Sequence, residues 1–86
     1  MNNYHFKDKN ISLRAKGLLS LMLSLPDEWD YSINGLCSIC NESRETIRKT
    51  LKELRDNNYL EMKERRDENG KFFYDYIIYE VPNIYP

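Results

Sequence analysis

An α+β winged helix-turn-helix, three helices followed by a two-stranded β-hairpin, is predicted by three features of the chain. Residues 43–54, SRETIRKTLKEL, combine a capping serine, an apolar stripe and a basic outer side. A shorter segment with helical apolar spacing closes a few residues before them. After Tyr59 the period changes from helical to alternating, and Asn69-Gly70 separates two strand-like runs, which is a strong hairpin signal.

Taken in order, residues 1–11 read as an extended or frayed N-terminal arm, with His5 exposed on it. Ser12 is suited to cap a first helix. Leu13, Gly17, Leu18, Met22 and Leu25 follow at helical spacing, with Leu19 and Leu21 beside them. Pro26 ends that helix, because the residue before a proline avoids helical geometry. Residues 27–31 form a loop or brief strand whose Trp29 and Tyr31 fold back onto the core. Ser32 caps a two-turn second helix with Ile33, Leu36, Cys37 and Cys40 on one face. Asn41-Glu42 makes the turn, asparagine tolerating left-handed geometry. Ser43 caps the third helix, whose buried stripe is Ile47, Leu51 and Leu54 with Thr50 beside them, and Asn57-Asn58 close it. Leu60 and Met62 alternate with Glu61, Lys63 and Arg65 in the first strand, and Phe72 to Val81 supply the second. An isolated hairpin is marginal in water, so the helices must cover one face of it. The division is an arm over 1–11, a winged-helix domain over 12–81 and a tail over 82–86.

The 86 residues suffice for one small domain and not for two. At 41% hydrophobic and 31% charged, the chain can bury a core and is no disordered tail. No apolar run approaches the ~20 residues of a membrane span, and the N-terminus lacks the apolar centre of a secretory signal. A cytoplasmic location with no membrane partner is expected. There is no internal repeat.

A net charge of −1 and a pI near 5.8 count against nucleic-acid binding, whose usual footprint is a basic patch with a pI above ~9. The distribution matters more. Between Ser43 and Arg55 five cations (Arg44, Arg48, Lys49, Lys52, Arg55) face two acids (Glu45, Glu53). Between Met1 and Gly17, Lys7, Lys9, Arg14 and Lys16 face Asp8 alone.

A reading helix enters the major groove with its N-terminal residues toward base edges. At 100° per residue, Glu45, Lys49 and Lys52 lie opposite the buried stripe and Arg44, Arg48 and Arg55 form a row on one flank. Arg44 can reach a guanine edge, where the guanidinium fork meets two acceptors. Ser43 and Thr46 suit a phosphate or a thymine methyl, and Lys49 and Lys52 suit phosphates. On the wing, Lys63, Arg65, Arg66 and Lys71 surround a tip holding Asp67 and Glu68. That tip suits the DNA backbone or the minor groove, or is a plain solvated turn. The candidate DNA-binding residues are therefore Ser43, Arg44, Glu45, Thr46, Arg48, Lys49, Lys52, Arg65, Arg66 and Lys71. The plain alternative is a solvated charged face on an ordinary amphipathic helix.

The Cys37-Ser38-Ile39-Cys40 CxxC invites a zinc or redox reading. A structural zinc needs four ligands and the only histidine is His5, while redox CxxC motifs open a helix in a βαβ setting. Both cysteines read as small core residues. Asp27, Glu28 and Asp30 read as a solvated loop. With no glycine-rich phosphate loop, nucleophile elbow or convergent acid–base set, no enzyme activity, catalytic residue, metal, cofactor or small-molecule substrate is expected. Five of the seven tyrosines lie from Tyr59 onward. In the second strand Phe72, Tyr74, Tyr76 and Ile78 share one face and Phe73, Ile77, Tyr79 and Val81 the other, more apolar surface than one core requires. A packing interface is favoured for the surplus face over base stacking.

SRETIRKTLKEL resembles the reading helix of GntR-type winged-helix regulators, in which arginines at the positions of Arg44 and Arg48 contact DNA. The stretch KNISLRAKGLL (9–19), followed by LPDEWDYSINGL (25–36), is similar to N-terminal winged-helix domains of phage and plasmid replication proteins of low-GC Gram-positive bacteria, the replisome-organiser and DnaD-like type. The resemblance covers residues 9–81. Cys37, Cys40 and Asn58 stand where alanine or glycine is common in family turns. It implies binding of double-stranded DNA, in some members at an origin, with a separate C-terminal part recruiting the replication machinery. That part is not in this chain, so an isolated DNA-binding domain or a short stand-alone relative is expected. The function expected is double-stranded DNA binding in replication initiation or transcriptional regulation. The rival is a winged-helix protein–protein module that does not bind DNA. A single near-neutral module binds weakly alone, so a homodimer or a missing C-terminal domain is the expected second partner.

Overall fold

The three longer helices all start on a serine. Ser12, Ser32 and Ser43 hold extended backbone and accept hydrogen bonds from the N–H groups of Ala15 (3.1 Å), Gly35 (2.9 Å) and Thr46 (3.2 Å). Each bond satisfies an amide that the helix itself leaves open. A computed structural model describes residues 4–26, 29 and 31–83. Its elements are α1 (Tyr4–Lys7), α2 (Leu13–Ser24), α3 (Ile33–Ile39), α4 (Arg44–Asp56), β1 (Leu60–Arg66) and β2 (Phe72–Ile78). The winged-helix architecture is present: α2, α3 and α4 are the three predicted helices, and β1 and β2 pair antiparallel as the wing.

The ends of α4 and of the wing follow from single residues. Asn58 takes the left-handed conformation (φ 68°), so that Tyr59 N–H reaches back to Leu54 O (2.9 Å) and Asn58 N–H to Arg55 O (3.1 Å). This paired closure is a Schellman motif, with an apolar residue at each end of the longer bond. At the wing tip Gly70 alone has positive φ (78°). Gly70 N–H donates to Asp67 O and Asp67 N–H to Lys71 O, both at 3.0 Å. Asp67 Oδ1 also accepts from the Asn69 and Lys71 amides. The connection is a three-residue loop with a glycine bulge, not the two-residue turn in which both central residues have positive φ.

Ala15, Leu18, Leu19 and Met22 of α2, Leu36 of α3, Ile47, Leu51 and Leu54 of α4, and Ile11, Tyr59 and Leu60 form the core. Trp29, Tyr31, Cys37, Cys40, Met62, Tyr76 and Ile78 pack against it partly buried. Glu53 accepts from the Ser12 amide (2.5 Å) and hydroxyl (2.8 Å), tying the start of α2 to α4.

Four expectations need correction. The segment before Ser12 is not simply extended: it contains α1, and Ile11 belongs to the core. His5 is not exposed but fully buried, its Nε2 2.7 Å from Ser20 Oγ. The Ser20 hydroxyl donates to Lys16 O (2.8 Å), so the ring nitrogen is the donor to Ser20. The buried stripe of α2 is shifted: Ala15 is buried, whereas Leu13 is 85% exposed and Gly17 exposed. Strand β2 stops at Ile78 rather than Val81, with the Tyr79 amide adding one last in-register bond to Tyr59 O (2.9 Å). Residues 1–3 of the arm, 84–86 of the tail and the acids Asp27, Glu28 and Asp30 lie outside the described residues.

Tyr59 also fastens the N-terminal segment. Its hydroxyl donates to Asp8 Oδ2 at 2.7 Å. That bond, with the Asn10 amide on the same carboxylate, holds Asp8 below its ordinary 3.8. Burial first, and the Asp8 bond second, push the Tyr59 phenol up. A carboxyl lowered on folding contributes stability that is complete above its unfolded value and disappears as pH falls through the folded value. Tyr59→Phe is expected to cost about 1–2 kcal/mol at pH 7. In urea melts from pH 7 to pH 2 the gap from the parent should close below pH 4. A gap that stays constant across this range would show that Asp8 is not the partner that matters.

Candidate nucleic-acid interface

Helix α4 buries Ile47, Thr50, Leu51 and Leu54 and turns its other sides to solvent. The four residues 40–43 join it to α3, so α3 and α4 form a helix-turn-helix with Leu36 at its buried junction. Arg44, Glu45, Arg48, Lys49 and Lys52 are all exposed. Glu45 lies 3.6 Å from the Arg48 guanidinium and 3.8 Å from the Lys49 ammonium, and Lys52 pairs with Asp56 at 2.9 Å. These are one-turn surface pairs, each worth a few tenths of a kcal/mol. Pairs this exposed are weak and leave the cations free to exchange partners. Arg44 donates to the Asn34 side-chain oxygen on α3.

The arginine flank faces the wing. Arg55 Nη1 approaches Met62 Sδ at 3.7 Å, and a groove of about 810 Å³ runs between Asn34 and Arg44 on one side and Phe72 and Tyr74 on the other. On the wing, Arg65 pairs with Asp75 (3.0 Å) and lies 4.9 Å over the Phe73 ring, while Arg66 lies 4.4 Å over the Phe72 ring. Lys71 is exposed beside them. The fold thus brings Arg44, Arg65 and Lys71 to one groove. Arg48, Lys49 and Lys52 line a smaller neighbour of about 360 Å³ with Leu51 and Met62. Ser43 and Thr46 stand apart. The Ser43 hydroxyl is engaged with Thr46 (3.0 Å), and Thr46 lines a separate depression beside Ser12, Leu13 and Gly17 of α2.

Two features were not legible in the sequence. Asn34 as the seat of Arg44 depends on the crossing of α3 and α4 and leaves no local signal. Half-exposed Phe72 and Tyr74 share a strand face with core-packed Tyr76 and Ile78, and only the reach of the helices beneath decides where cover stops.

Cys37 and Cys40 are free and partly buried. Burial, then Cys37 and Glu42, push the Cys40 thiol up, the opposite of what a reactive thiolate needs. Among the described residues no group of three or more His, Cys, Asp or Glu is placed to hold a metal ion. None of the described helices is long and apolar enough to cross a membrane.

A capped helix on the far side of a tight turn, with a hairpin against its flank, defines a winged helix-turn-helix. The chain belongs to a helix-turn-helix domain family, which it matches over residues 9–60, from before α2 through α4 to the first residue of β1. That membership points to DNA binding and to a class that is typically non-enzymatic. No curated protein and no solved structure matches the chain significantly.

Proposed function

We propose that this chain binds double-stranded DNA, with α4 in the major groove and the wing along the adjacent backbone. One observation carries the reading: Arg44, Arg48, Lys49 and Lys52 are exposed on a helix whose opposite side is locked into the core. In this reading Arg44 and Arg48 meet base edges. Glu45 orients Arg48 and Lys49, and Ser43 and Thr46 flank the helix start. Lys49 and Lys52 take phosphates, and Arg65, Arg66 and Lys71 bring the wing to the backbone. The protein acts in the cytoplasm without catalysis or a cofactor. Its setting is initiation of phage or plasmid replication, supported by the likeness of residues 9–36 to replisome-organiser and DnaD-like domains. The GntR-like α4 supports the alternative setting, transcriptional regulation. A homodimer or a further domain supplies the affinity one module lacks.

The rival is a protein–protein module, favoured by the low pI and by exposed aromatics on β2. Sequencing oligonucleotides enriched by the full chain from a random pool, followed by a salt titration on the winner, separates the two. With about five phosphate contacts, log affinity should fall against log salt with a slope near −4 to −5. No enriched sequence and a flat salt response would leave the protein–protein reading standing.

A further inference from the structure

The groove between the wing and the helix-turn-helix has a composition that duplex binding does not require. Phe72 and Tyr74 line it at 51% and 50% exposure. Below them the Tyr31 and Tyr76 rings are already stacked, 5.9 Å apart and 9° from parallel. Its charged lining is Arg44 and Lys71, together with the Arg65–Asp75 pair, whose guanidinium lies over Phe73 on the opposite strand face. The groove is thus aromatic and cationic together, a pairing that suits a planar ring bearing a phosphate far better than an apolar protein surface.

The Arg66 guanidinium covers one face of the Phe72 ring at 4.4 Å, which leaves the other face for a planar ring and a cation beside it for a phosphate. A single strand presents the unpaired base faces that exposed aromatics beside cations can stack, whereas a closed duplex keeps its base faces inside. The groove is continuous with the α4 start through Arg44, so a strand leaving the duplex at α4 would pass directly into it.

We propose that this groove receives an unpaired single-stranded segment of DNA adjoining the duplex, with Phe72 and Tyr74 as its base-stacking residues. This rests on α4 holding the duplex. The wing then reads the junction between paired and unpaired DNA, and its aromatics serve as a selector for DNA form instead of the packing interface that their apolar character suggests.

Fluorescence anisotropy of the full chain at low salt tests this with three probes of matched sequence. They are a blunt duplex, the duplex with a 3′ or 5′ tail of about ten thymidines, and the tail alone. The tailed duplex of one polarity should bind about tenfold tighter than the blunt one. The double variant Phe72→Ala/Tyr74→Ala should lose that preference, keep its affinity for the blunt duplex and melt as the parent does. Phe72→Trp should keep the preference. Arg44→Ala should weaken both duplex probes. Blunt and tailed probes bound equally would overturn the junction proposal while the duplex reading survives. Binding to neither probe would remove both. A double variant that instead abolishes a concentration-dependent dimer would identify the surface as a contact between copies, and would also overturn the proposal.

Discussion

Leu54→Ala is expected to lower the unfolding free energy by about 2–5 kcal/mol. Leu54 is wholly buried where α4 meets the wing. Its carbonyl accepts the Tyr59 amide that closes the helix, and fully buried Tyr59 is the apolar partner position of that closure. Truncation removes three carbons and leaves a void bounded by a helix end and a strand start, two elements that cannot shift independently. A domain of this size has about 4–13 kcal/mol in total, so the change takes a large share. Each kcal/mol lowers Tm by about 4–8 °C. Leu13→Ala is the control. The same chemical change at an 85% exposed position of α2 should change the unfolding free energy by less than about 0.5 kcal/mol. Urea melts monitored by circular dichroism read both. Equal losses at the two sites would contradict the burial described for α2 and α4.

That contrast marks where sequence reading succeeds. Capping and periodicity are local, so Ser12, Ser32, Ser43 and the Ile47–Leu51–Leu54 stripe were all legible, as were Asn57-Asn58 and the hairpin. The period does not single out the buried stripe of α2, because its leucines are dense on several sides. Leu13, Leu18, Leu19, Leu21, Leu23 and Leu25 satisfy more than one helical face, and alanine gives little hydrophobic signal although Ala15 is the position that meets the core. A lone histidine near a terminus carries no pattern, so the sequence alone points His5 to solvent. Its burial depends on Ser20, fifteen residues away. The cationic side of α4 could be read from the helical period alone. Its convergence with the wing into one groove could not, since that depends on the angle at which the hairpin leaves Tyr59.

Arg44→Ala and Arg48→Ala should each weaken binding to a selected duplex by about 1–3 kcal/mol and relax discrimination at one base position, with no change in melting. Both side chains are exposed and outside the core, so stability is not at stake. The two variants should nevertheless differ. Asn34 seats Arg44, so Asn34→Ala should reproduce part of the Arg44→Ala loss by freeing the side chain without removing its charge. Arg48 is flanked by Glu45 at 3.6 Å. Removing the guanidinium leaves that carboxylate facing the DNA, and the loss then includes repulsion as well as a missing contact. Glu45→Gln in the Arg48→Ala background should recover part of the affinity and none of the base discrimination. Lys49→Ala should weaken all sequences alike and reduce the salt slope by about one. Competition binding with the selected duplex and single-base variants measures each quantity. The discriminating result is the pattern, not the size: if Arg44→Ala and Arg48→Ala behave like Lys49→Ala, losing affinity evenly across every base variant, α4 contacts only phosphates and sequence is read elsewhere on the domain.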